Sequence, residues 1–138
     1  MTNAAYDMSF EQRLARIDLS KVMAEVAEEH GLNAAEAARA EDLYRKFLTL
    51  KGNQPQLELV PPRIADFVWH AHITHTRQYV ADCELLFGSY LHHNGDATDT
   101  EEKYFGVTVP SYKGHFGIDL NQMAVGGGTF YGASDCSG

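Results

Sequence analysis

The chain has 138 residues, 44% of them hydrophobic and 22% charged, with a formal net charge of −8. That length and balance fit one domain with its own core and argue against disorder of the whole chain. The charge argues against a nucleic-acid surface, where Lys and Arg must replace counterions, and against an anionic membrane.

Met1 to Phe10 has neither a basic start nor an apolar run, and no apolar stretch reaches bilayer length. A cytoplasmic protein without a membrane span is therefore expected. In chain order, Ser9-Phe10-Glu11-Gln12 reads as a capping box opening a short helix to about Ile17. Asp18 or Ser20 is expected to cap a second helix, with Leu19, Val22, Met23, Val26, Ala27 and His30 on one face and Gly31 as its stop. Asn33 caps a third helix, expected to run to about Leu50 and to end at Lys51-Gly52. Its buried stripe is Ala37, Ala40, Tyr44, Phe47 and Leu48.

Pro61-Pro62 closes a loop, and Pro62 suits a first helical turn. A helix from Pro62 to about Ile73 points Ile64, Phe67 and Val68 inward. A break at Ile73 to Thr76 separates it from a helix to Phe87, with Tyr79, Val80, Cys83 and Leu86 or Phe87 buried and Gly88 as stop. Asn94-Gly95-Asp96 is a turn, and Thr98 to Phe105 forms a helical turn or two. From Gly126-Gly127-Gly128 onward the composition reads as tail. The expectation is an all-α bundle of four or five helices over residues 1–122, with a flexible Gly-rich tail over 123–138.

Five of the seven histidines fall between residues 70 and 93: His70, His72, His75, His92 and His93. Imidazole is the commonest side-chain metal ligand and a general acid or base near neutral pH. Helical geometry constrains the set. His70 and His72 point about 200° apart on one helix, whereas His72 and His75, or Asp66 and His70, share a face. Residues 88 to 93 span about 16 Å if extended, so His92 and His93 can return to the others when Gly88 reverses the chain. Buried structural histidines are the competing account, and Trp69 then simply fills the core. Cys83 and Cys136 read first as free thiols, with metal ligation as the sharper option. The sequence has no Walker-type loop, no His-Glu-x-x-His and no Cys-x-x-Cys.

Tyr44-Arg45-Lys46-Phe47-Leu48, Pro61-Pro62, Asp66-Phe67-Val68-Trp69-His70-Ala71-His72-Ile73, Thr76-Arg77-Gln78-Tyr79, Asp82-Cys83, Phe87-Gly88 and Leu91-His92-His93 resemble the glycine-rich domain-containing protein family over roughly Leu14 to Gly95. The resemblance implies a largely helical fold and a Gly- and Cys-bearing C-terminal region, and it implies no defined activity. Its signature positions correspond to Trp69, His70, His72, Tyr79, Asp82, Cys83, His92 and His93. His75 and the short region after His93 depart from that pattern.

The leading expectation is a metal-binding domain with His70, His72, His92 or His93 and Cys83 as candidate ligands. Asp66, Asp82 and Tyr79 form the supporting set. A nitrogen-rich donor set suits zinc, iron, copper or nickel. The alternative is a metal-free interaction module that meets a protein partner through its acidic surface or tail. A third reading makes the tail the modifiable end of a precursor.

Overall fold

The structure, a computed structural model, describes residues 8–95, 98–135 and 137, the side chains of 124–129 excepted. Among the described residues it is all-α, with two isolated β-bridges and no strand. Cys136 lies outside the described residues.

Helix α1, Phe10–Ala15, opens on the Ser9–Gln12 capping box. Helix α2, Ser20–His30, begins after Leu19 without a side-chain cap, although Asp18 Oδ1 accepts the Ser20 N–H at 2.9 Å. Gly31, at φ 64°, ends it in the left-handed conformation. Asn33 and Glu36 cap α3, Ala34–Asn53, reciprocally. Gly52 does not end α3 but lies inside it, for a steric reason. A Cβ there would sit 2.3 Å from a ring carbon of Phe10, so the glycine lets α1 approach α3.

Helices α4, Arg63–Thr74, and α5, Thr76–Phe87, are separated by the single non-helical residue His75. Gly88 at φ 70° stops α5 and turns the chain back. Helix α6, Thr100–Lys103, runs through a π-helical turn at Tyr104–Thr108 into α7, Val109–Phe116. Proline explains that turn. Pro110 has no N–H, and its ring would clash with the carbonyl of Gly106 in a regular helix; the wider turn relieves both, and Val109 N–H bonds back to Tyr104.

The core lies where α4 crosses α2 and α3. Ile64, Ala65, Val68 and Trp69 are fully buried against the apolar faces of Val22, Val26, Leu43, Tyr44 and Phe47. The Trp69 and Phe47 rings stand 4.9 Å apart. Each large side chain there contributes about 1.5–3 kcal/mol before entropy is counted. Helix α5 packs on α4 and α1, so its buried stripe is narrow: Tyr79, Cys83 and Leu86. Val80, expected inside, is 49% exposed because it lies one helical step off that stripe.

The boundary expected at residue 123 falls within α8, Leu120–Gly127, which a 3-10 turn at Gly128–Tyr131 follows. Beyond it the backbone pairs with the body at two places. Arg63 N–H donates to the Gly132 carbonyl and Ser134 N–H to that of Pro61, at 2.9 and 3.2 Å. Asn94 and Ser137 exchange both backbone bonds, at 2.9 and 3.2 Å. The C-terminal segment thus joins the start of α4 to the loop after α5. No helix among the described residues is long and apolar enough to cross a membrane.

Candidate metal centre

Asp66 and His70 lie one turn apart on α4, as i and i+4 residues must. Asp66 Oδ2 is 3.1 Å from His70 Nε2. The loop that Gly88 reverses brings His93 to the same carboxylate, with its Nε2 3.1 Å from Asp66 Oδ1. One ligand atom from each of the three residues lies within 4.8 Å of the other two. Two donors about 2.1 Å from an ion and 3.1 Å apart subtend about 95° at it, the spacing of adjacent coordination positions. Both rings offer Nε2, so binding an ion requires each to carry its proton on Nδ1.

Burial grades across the group. The Asp66 and His93 side chains are 10% and 11% exposed, and that of His70 is 57% exposed. The His93 ring is wedged edge-on between Trp69 and His70, 4.3 Å from each ring centre. A cleft of about 410 Å³ opens on the His70 side, between α2 and α4.

His93 owes its position to a chain of buried polar contacts. Trp69 Nε1 donates to the Tyr79 hydroxyl at 2.9 Å, and that hydroxyl donates to the Leu91 carbonyl, two residues before His93. Burial pushes the Tyr79 phenol far above its ordinary range, so it stays a donor. The next link is backbone: Asn94, beside His93, is held by Ser137.

The remaining residues singled out in the sequence stand elsewhere. His72 is buried on the opposite face of α4, and both of its ring nitrogens are taken. Nδ1 is 2.7 Å from the Tyr44 hydroxyl, and Nε2 is 2.8 Å from Asp82 Oδ2. Asp82 therefore serves His72, and Gln78 donates to the same carboxylate oxygen at 3.2 Å. Tyr44 is fully buried, and its phenol is pushed well up, mainly by that burial. His92 is exposed and leans on Tyr90, with ring centres 4.9 Å apart. Cys83 is buried within the α5 stripe, and desolvation raises its thiol above the ordinary range. A raised, buried thiol is a poor ligand and a poor nucleophile. His75 pairs with Glu25 at 3.0 Å. Asp66 is thus the geometric centre of the group rather than a support behind it, and its i, i+4 spacing to His70 is the sequence signal that marks it.

The family model described as UCP032817-like matches residues 11–103, two-thirds of the chain. No curated protein and no solved structure matches it. The chain belongs to the UCP032817-like family, which corrects the resemblance to glycine-rich domain-containing proteins. The Trp-His-x-His run lies inside the matched span, and Gly126-Gly127-Gly128 lies outside it.

Proposed function

We propose that this UCP032817-like protein binds a divalent transition-metal ion through Asp66, His70 and His93. One observation carries the reading: a nearly buried carboxylate whose two oxygens each stand 3.1 Å from an imidazole Nε2, on separate elements of the chain. Two imidazoles and one carboxylate favour iron(II) or zinc over copper(I), which prefers sulfur. Cys83 lies outside the group, and no thiolate among the described residues joins it.

Three protein donors leave coordination positions for water or substrate. That is the pattern of reactive metal sites rather than closed structural ones. In such a site the ion supplies Lewis acidity or an activated water. The protein's own residues fix the donors: Asp66 orients both rings, Trp69 packs behind His93, and Tyr79 anchors the loop that carries it.

The same 3.1 Å separations also suit two imidazole N–H groups donating to one carboxylate with no ion between them. Metal content decides between the two. Tag-free protein, stripped with chelator and reloaded in turn with iron(II), zinc and copper, is compared with a His70→Ala, His93→Ala double variant. The reading expects near-stoichiometric iron or zinc in the wild type and its loss in the variant. No retained metal with any ion, or equal retention in the variant, overturns it.

A further inference from the structure

The lining of the cleft beside His70 includes Glu25, Glu29 and His30 from α2 and Asp66, Phe67 and His70 from α4. We infer that it is the ligand groove of the metal centre and that it takes a small organic cation, an amine joined to a flat apolar body. Its assignment as a substrate groove rests on the metal reading. Its preference for cations does not.

Position is the first argument. Two residues of the lining, Asp66 and His70, are donors of the proposed centre, so a molecule in the cleft lies beside the ion. The more exposed donor, His70, faces this side, while His93 is shut in behind Trp69. The cleft's volume of about 410 Å³ is that of a small-molecule site.

Charge is the second. Three carboxylates line the cleft, and no Lys or Arg does. A divalent ion at Asp66 still leaves two carboxylates on the α2 wall, Glu29 and Glu25, the latter with one oxygen 3.0 Å from His75 Nε2. A concave surface of one sign concentrates ligands of the opposite sign.

Shape is the third. The His30 and Phe67 rings are stacked, 3.7 Å between centres and 4° from parallel, so each covers a face of the other and the pair bridges α2 and α4 at the edge of the cleft. Phe130 braces Phe67 at 5.8 Å, nearly perpendicular. A small aromatic body packs against the rim of that pair in the tilted or edge-to-face geometry rings prefer, with its ammonium directed to Glu25 and Glu29.

Benzylamine, benzyl alcohol and benzoate share one ring and differ in charge, so they test the class directly. Each is titrated calorimetrically into metal-free and metal-loaded protein, with metal content measured separately. Benzylamine is expected to bind both forms about tenfold or more tighter than benzyl alcohol, with benzoate weakest. A Glu25→Gln, Glu29→Gln variant is expected to lose about tenfold for benzylamine and to keep its metal content, while Glu28→Gln, off the cleft, leaves affinity unchanged. Equal binding of the three compounds, no binding of benzylamine to either form, or full affinity in the double variant overturns the inference. A protein that holds metal but ignores benzylamine refutes the groove and spares the metal site; one that binds benzylamine but no metal does the reverse.

Discussion

Asp66 and His93 are 27 residues apart in the chain, yet Asp66 Oδ1 lies 3.1 Å from His93 Nε2, with Trp69 packed against the ring. Asp66→Asn is nearly isosteric, so the fold should survive it. The amide offers one oxygen where the carboxylate offered two, and it removes the charge. Losing a ligand should exceed the 10–100-fold cost of losing a second-shell partner, so metal affinity is expected to fall by about a hundredfold or more. Competition with a chromophoric chelator measures it. Unchanged affinity would show that the carboxylate does not bind the ion.

His72 provides the contrast. Tyr44→Phe deletes the hydroxyl 2.7 Å from His72 Nδ1 and leaves a buried nitrogen without that partner. The cost is about 1–3 kcal/mol of stability, read from urea denaturation. Metal content should not change, because His72 faces away from Asp66. A parallel loss of metal would place His72 in the centre.

The helices were legible because each carries its own signal: capping boxes at Ser9 and Asn33, and glycines at 31 and 88 that adopt positive φ. The Asp66–His70 pairing was legible for the same reason, since it is local. The choice between His92 and His93 was not. It depends on where the Tyr79 hydroxyl pins Leu91 and where Ser137 pins Asn94, contacts made across 12 residues and more. Nor could periodicity show that Gly52 serves Phe10, since the clash it avoids is with another helix. Likewise, Val80 fits an apolar pattern and still faces solvent, because nothing among the described residues covers that side of α5.

Tyr79→Phe tests the anchor. It removes the acceptor of the Trp69 N–H and the donor to the Leu91 carbonyl together. The expected loss is about 1–3 kcal/mol, since the Trp69 N–H stays buried. Hydrogen exchange should quicken at residues 89–94 more than in α2 or α3. Metal affinity should fall by about tenfold, as for a residue that orients a ligand. Exchange that quickens uniformly would mean that Tyr79 supports the core alone.

Alkaline pH should unfold the protein before it ionises the native tyrosines. Burial raises the phenols of Tyr44, Tyr79, Tyr104 and Tyr112 above 10.0 and the Cys83 thiol above 9.0, their ordinary values. The folded chain therefore holds these protons at pH values where the unfolded chain releases them. Stability from this source is complete below about pH 9 and falls as pH rises, first through the thiol and then through the phenols. Each phenol that ionises only on unfolding removes up to about 1.4 kcal/mol per pH unit above its unfolded value. Tyr44, hydrogen-bonded to His72 in the core, and Tyr112, which donates to the Leu43 carbonyl at 2.7 Å, are both fully buried. Along a pH titration, the tyrosinate absorbance of these four of the seven tyrosines should then appear in one cooperative step with the loss of helical circular dichroism. Tyrosinate from these four residues forming in a gradual titration while the helical signal persists would show that the phenols are accessible in the folded state.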